Sequence, residues 1–298
     1  MNLSLGGVIP ILPTPFTAAG EVDDEGFANV IEAAIAGGVN GLAMFGLASE
    51  YYKLADAERF HLVEVLVQKA AKRCPVVISI VPHATQLAVA EAGRAVEAGA
   101  DAIMVMPPFF LVPPVDTIIR HIHDIAVAVP VPVIVQYAPL QTGRAIDMQA
   151  FAQLRSELPN ITHIKVDLVP SGPTISNLRT HSMESLVGYM GLHLPEDFSR
   201  GVGGVMPTVS ICPAFVKMWK LLAQDEKQAR DLHREVLPFL NFMMQSIEFL
   251  IACEKELLVH RGILRSADCR EPAYHLDSIQ RSELSAHAIR LTSLLAQN

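Results

Sequence analysis

Short apolar runs alternating with helix-spaced segments, at a pitch of roughly 25 to 30 residues, predict an α/β chain of parallel strands. The fold class expected is a (β/α)8 TIM barrel with a C-terminal helical extension. Two further observations favour it. The runs lack polar alternation, as in residues 39–46, which is how a strand covered on both faces reads. No G-x-G-x-x-G turn follows the first run, which weakens a doubly wound dinucleotide-binding alternative.

The elements follow in order. Residues 7–16 read as a short strand entering a Pro-rich turn. Asp23 and Asp24 sit where N-caps sit, ahead of Phe27, Val30, Ile31 and Ala34 at helical spacing. Strands are expected at 39–46, 75–81, 102–106, 131–136, 161–167, 185–189 and 202–206. The helices between them are expected at 55–71, 86–98, 115–127, 147–156, 175–180 and 195–199. From Pro213 the pattern is helical throughout: 214–222, 226–260 with a break, and 278–295. The domains expected are a barrel over 1–222 and a helical segment over 223–298 packed on it.

With 298 residues, half of them hydrophobic, the chain can bury a large core. A net charge of −8, from 31 acidic against 23 basic residues, argues against nucleic acid or an anionic membrane surface as partner. Cys74, Cys212, Cys253 and Cys269 form no C-x-x-C pair, so neither a zinc site nor a disulfide framework is expected. The start of the chain has no secretory pattern and no run approaches 18 apolar residues, so a protein of the reduced cytoplasm is expected, with no membrane partner.

Chemistry concentrates in residues 161–167. As a strand, this stretch turns His163, Lys165 and Asp167 to one face and Ile164 and Val166 to the other. Two readings of Lys165 stand side by side. A strand-end lysine can snorkel to water. A desolvated one favours the neutral amine that attacks a carbonyl to form a Schiff base. Barrels of this class place their chemistry at the C-terminal strand ends. Those ends hold residues 46–50, 106–110, 136–139, 165–167, 189–191 and 204–206.

Lined up in this way, the chain resembles the class I, Schiff-base-forming aldolases that include dihydrodipicolinate synthase and N-acetylneuraminate lyase. The resemblance spans nearly the whole chain. It rests on Pro13-Thr-Pro-Phe16, the Gly46-to-Glu50 turn, Pro107-Pro-Phe-Phe110 with Pro113, and the spacing from Pro139 to Thr142-Gly143. Ile164-Lys165, Arg200-Gly-Val-Gly-Gly204 and a late Glu254-Lys-Glu with Arg261-Gly262 complete it. It implies that Lys165 forms the imine with a 2-oxo acid, that no metal or organic cofactor takes part, and that the protein is a homodimer or homotetramer. It also implies that backbone N–H groups of Leu47 and Ala48, beside Ser49, bind the oxo-acid carboxylate, and that Phe110, Gln141 and Val205 line the pocket.

Departures from the family pattern are as informative. Gly46-Leu-Ala-Ser-Glu50 stands where Gly-Thr-Thr-Gly-Glu or Gly-Ser-Thr-Gly-Glu is usual, so a relay hydroxyl is lost while the N–H groups remain. Phe109 and Phe110 replace a tyrosine pair, one of which crosses a subunit interface. Gln136 stands at the catalytic tyrosine position. Tyr137 is displaced by one residue, which points it to the opposite face unless a bulge intervenes. Gln141 replaces the arginine that grips a distal carboxylate, and an amide cannot give that bidentate charged pair.

A reaction through an enamine still needs an acid/base within reach. Asp167 and His163 share the Lys165 face, each about 6.5–7 Å along the strand, with Asp167 nearer the mouth. Asp167 is therefore the expected substitute, with turn-capping as the structural alternative; Gln136 and Tyr137 are the other catalytic candidates. His121 and His123, two apart on a helix, diverge and are expected on its surface. His83, Tyr274, Met243 and Met244 read as structural, Glu50 as a support of its turn, and Ser49 and Ser210 lack the partners of a hydrolase.

The function expected is a Schiff-base lyase of the aldolase type acting on pyruvate, a related 2-oxo acid or a 2-keto-3-deoxy sugar acid, and not a true dihydrodipicolinate synthase. A hydrolyase or deaminase through the same imine is the alternative within enzymes. A non-catalytic barrel that binds a small carboxylate is the alternative outside them.

Overall fold

The structure is a computed structural model in which residues 5–296 are described. In chain order its elements are β1 (Gly7–Val8), α1 (Asp24–Ala36), β2 (Leu42–Met44), α2 (Asp56–Ala70), β3 (Val76–Ile80), α3 (Thr85–Glu97), β4 (Ala102–Val105), α4 (Val115–Val127), β5 (Val133–Tyr137), α5 (Pro139–Thr142) and α6 (Met148–Glu157). They continue with β6 (Ile161–Val166), α7 (Gly172–Thr180), β7 (Glu184–Val187), α8 (Leu194–Ser199), β8 (Gly204–Val205), α9 (Cys212–Gln224), α10 (Glu226–Met243), α11 (Ile247–His260) and α12 (Ser278–Ala296). The described residues divide into two compact units, one of residues 5–6 and 75–206, the other of residues 7–74 and 207–296.

The first unit carries β3 to β8, all parallel, with each strand beside its sequence neighbour. Short βα repeats enforce this order, because a parallel neighbour needs a crossover and the intervening helix supplies it. The strands are almost wholly buried, as their unbroken apolar runs require. Register sets which residues share a face. Lys165 on β6 lies opposite Gln136 on β5 and Leu186 on β7, and Leu186 lies opposite Gly204 on β8. Tyr137, Val166, Val187 and Val205 form the adjacent row, which points the other way.

In the second unit, β1 is two residues long where a longer strand was expected. Pro10, Pro13 and Pro15 lack the N–H a ladder needs, so the chain beyond Val8 keeps only isolated bridges, from Ile11 to Ala43 and to Thr208. Asp23 caps α1 by accepting the Gly26 N–H at 3.0 Å, and Phe27, Val30, Ile31 and Ala34 form the buried stripe. The long helical run 226–260 breaks because Ser246 starts a second helix, accepting the Phe249 N–H at 3.1 Å. Met243 is buried, whereas Tyr274 is partly exposed and packs edge-on against Phe249.

Two other differences from expectation have local causes. Helix α7 begins at Gly172 because Pro173 falls in its first turn, where a missing N–H is harmless. His121 is buried on α4, with Nδ1 3.0 Å from Thr85 Oγ1 on α3, and burial lowers its pKa. His123 is the one that stays at the surface, beside Asp124. No single helix among the described residues is long and apolar enough to cross a membrane.

Candidate active site

In the first unit the end of β6 gathers three polar side chains that are otherwise rare in a barrel wall. Lys165 Nζ lies 2.9 Å from Asp167 Oδ2, and the Gln136 amide donates to the same oxygen at 2.6 Å. All three are buried. Backbone bonds hold them there: Asp167 N–H donates to Tyr137 O at 2.8 Å, and Gly188 N–H donates to Val166 O at 3.1 Å. The cluster brings together an amine, a carboxylate and an amide, the groups that imine formation and proton transfer use.

Tyr137 does not join this group. The β5/β6 register shifts only between Val133 and Ile134, so alternation runs unbroken from there to Tyr137. Its ring meets Phe151 of α6 edge-on at 5.7 Å, its hydroxyl bonds to the Ile146 backbone, and burial raises its pKa. Val205 sits in the Val187 row, and Gly204 takes the Lys165 row. His163 does share the Lys165 face, toward the foot of the strand. Its Nδ1 lies 2.8 Å from Thr162 Oγ1, and burial lowers its pKa to about 4, which keeps the imidazole neutral.

Around the mouth of this unit, Phe109 packs edge-on against His83 at 4.6 Å, while Phe110 is 79% exposed. Gln141 lies on the short α5, which Pro139 starts and Gly143, at φ 66°, ends. Its Oε1 is buried with no hydrogen-bond partner among the described residues. Four residues are too few to show a helical period, which is why the sequence gives no sign of α5.

The second unit holds the Gly46–Glu50 turn. Leu47–Ser49 form a single 3-10 turn in which Ser49 N–H bonds Gly46 O at 2.9 Å and Glu50 N–H bonds Leu47 O at 3.1 Å. That pattern leaves the N–H groups of Leu47 and Ala48 as the ones the turn offers outward. Ser49 ties the turn to the chain on either side. Its hydroxyl donates to Leu12 O at 2.6 Å and accepts the Phe45 N–H at 3.0 Å, and Thr14 Oγ1 donates to Ser49 O at 2.7 Å. Phe45 and Glu50, at φ 67° and 55°, bracket the turn in the left-handed region, which side chains adopt only when their surroundings hold them.

Glu50 is held by Lys53 at 3.0 Å and by the fully buried Lys255 of α11 at 2.5 Å. Its neighbour Glu254 accepts from Ser210 N–H at 2.8 Å and from the Ser210 hydroxyl, and burial raises its pKa. The sequence offers Lys255 only as part of the late Glu254-Lys-Glu motif, and the packing of α11 on the turn shows what it contacts. Among the described residues, no three His, Cys, Asp or Glu side chains gather to hold a metal ion.

Comparison with known proteins gives the class and then the family. The fold is that of dihydrodipicolinate synthase from Rhodopseudomonas palustris, at TM-score 0.90 and 24% identity over 96% of this chain and 98% of that one. It is a (β/α)8 barrel with C-terminal helices. YagE of E. coli K12, a member of the dihydrodipicolinic acid synthase family solved in complex with pyruvate, matches at TM-score 0.87 and 25% identity, covering 97% and 99% of the two chains. The 4-hydroxy-tetrahydrodipicolinate synthase of Salinibacter ruber is 31% identical over 78% of each chain. The L-2-keto-3-deoxyarabonate dehydratase of Azospirillum brasilense is 26% identical over 97% of this chain and 95% of its own. The model of the dihydrodipicolinate synthetase family matches residues 4–290. The chain belongs to that family, whose members are aldolase-type lyases.

Proposed function

We propose that the protein is a Schiff-base-forming lyase of 2-oxo acids with Lys165 as nucleophile and Asp167 as its proton-transfer group. The observation that carries this reading is the buried contact of Lys165 Nζ with an Asp167 oxygen that Gln136 also binds. Asp167 takes the ammonium proton, and the amine adds to the C2 carbonyl. The proton then goes to the carbinolamine hydroxyl, which leaves as water. The iminium so formed withdraws electrons from C3, and the Asp167 carboxylate, freed of its proton, receives one from C3. A positioned acid/base of this kind contributes typically about 10²- to 10⁴-fold.

The substrate we propose is pyruvate or a 2-keto-3-deoxy sugar acid, with no second carboxylate to be gripped by a cation. Gln141 is a neutral amide at the matching position, and the Azospirillum relative that aligns over nearly the whole chain is named for a keto-deoxy sugar acid. That name also supports a dehydratase reading beside carbon–carbon cleavage. The products distinguish them, an intact carbon chain after water loss against pyruvate and an aldehyde. Phe110 and Leu111, 79% and 85% exposed on one loop, support a homodimer or homotetramer that covers them.

The test is borohydride trapping with pyruvate, 2-oxobutyrate and 2-keto-3-deoxy acids, followed by mass mapping. The adduct is expected on Lys165 and absent from Lys165→Ala. Absence of an adduct in the wild type across the panel overturns the mechanism.

A further inference from the structure

Gly188 follows β7 directly, and its lack of a side chain has a use. A Cβ built there would fall 1.6 Å from Asp167 Oδ1 and 3.1 Å from Lys165 Cε. Its φ of −95° lies outside the left-handed region, so space, more than φ, is what requires glycine here. The backbone on both sides of this contact is fixed, so relief comes from the Asp167 side chain leaving its seat. Gly188 N–H is tied to Val166 O, and Asp167 N–H to Tyr137 O. Beyond Gly188, Tyr189 and Met190 take φ of 49° and 54°, so the chain turns away at this point.

We propose that Gly188 is a positioning residue that opens the seat in which the Asp167 carboxylate reaches Lys165. This role rests on the imine reading above. The seat gives the two carboxylate oxygens different tasks. Oδ2 is fixed by Gln136 at 2.6 Å and Lys165 at 2.9 Å, and Oδ1 lies over the Gly188 Cα. With the lysine converted to an iminium, the C3–H bond breaks, its electron pair forms the enamine double bond as the C=N pair moves to nitrogen, and the proton goes to the carboxylate. A side chain at Gly188 pushes the carboxylate off this position and crowds Lys165 Cε far less, so proton transfer at C3 suffers more than addition of the amine to a carbonyl.

The experiment uses pyruvate in D2O. Methyl-proton exchange is followed by NMR, and borohydride adduct formation is measured in parallel on wild type, Gly188→Ala, Asp167→Ala and the double variant. Gly188→Ala is expected still to give the Lys165 adduct at end point, formed more slowly, while exchange falls at least about 100-fold. In the Asp167→Ala background the same substitution is expected to change exchange less than about twofold, because the group it displaces is gone. Gln136→Leu, which removes the amide from Oδ2 without crowding the seat, is expected to lower exchange by a smaller factor and to shift its pH profile. Unchanged exchange in Gly188→Ala, or an equal loss in both backgrounds, overturns the positioning role while the imine reading stands. Loss of the adduct from the wild type overturns both.

Discussion

Two buried lysine–carboxylate pairs, one in each unit, differ in their surroundings, and the difference is what the proposed division between a chemical and a structural lysine rests on. Lys255 and Glu50 are fully buried, and each has a further partner. Lys255 also donates to Asp268 O at 2.9 Å and lies 4.5 Å from the centre of the Phe16 ring, and Glu50 has Lys53 as a second cation. Lys53 is in turn bound by Glu248 at 3.3 Å. A charge so deeply buried is tolerable only when its neighbours satisfy it. Lys165 stands at a strand end, and its carboxylate has a neutral amide as the further partner in place of a second cation. The first pair is enclosed by further charged and backbone partners. The second stands at a strand end with a neutral amide beside it.

The most direct way to break this comparison is to remove each lysine in turn. Lys165→Ala is expected to abolish the borohydride adduct and lower turnover by at least about 10⁴-fold, with the melting transition little changed. Lys255→Met is expected to reverse the pattern. It strands Glu50 and should destabilise the fold by about 3–5 kcal/mol, while the folded protein still forms an adduct on Lys165. Adding Glu50→Gln to Lys255→Met should recover part of that stability in a urea titration. If Lys255→Met instead lost the adduct while fully folded, the division between the two lysines would fail.

pH sharpens the same contrast, because titratable groups on two elements of the Lys165 unit are held away from their ordinary range. Burial raises Asp197 to about 6, although the Ser171 hydroxyl donates to it at 2.6 Å, and it lowers His163 to about 4. The two act in opposite directions. Between about pH 4 and 6 the native state keeps a proton on Asp197 that the unfolded chain has released, so this contribution to stability falls as pH rises. Over about pH 4 to 6.5 the unfolded chain binds a proton at His163 that the native state refuses, so that contribution rises. Asp197→Asn should therefore gain on the wild type by about 2–3 kcal/mol between pH 4 and 6 in urea titrations. His163→Gln should lose ground to it over the same span. A constant difference for either variant would show that its burial leaves titration unaffected.

The order of strands and helices was legible because a doubly covered strand and a helix leave different periods in the sequence. Lys165 was legible because an apolar strand has few reasons to carry a lysine at its mouth. Asp167 followed from the period of two. The same period placed Tyr137 and Val205 once neighbouring strands supplied the register. What stayed hidden depends on contacts far apart in sequence. Gly188 matters only because Asp167 lies over it, and Lys255 only because α11 packs on the Leu47–Ser49 turn. Ser49 looked like a pocket hydroxyl until the backbone groups of Leu12 and Phe45 claimed it.

Tyr137 gives the smallest effect and the strictest check on the face assignment. A phenol beside the proposed nucleophile invites a role in proton transfer, yet its ring lies on Phe151 and its hydroxyl on the Ile146 backbone. Tyr137→Phe keeps the ring and removes only that hydrogen bond. The expected loss is about 0.5–1.5 kcal/mol of stability. Turnover of whichever 2-oxo acid forms the adduct should change by less than about twofold, far below the effect of removing a group that moves a proton. A drop of about 100-fold at unchanged stability would put the phenol in the reaction and require β5 to present Tyr137 and Gln136 on the same face, against its register with Lys165 and Val166.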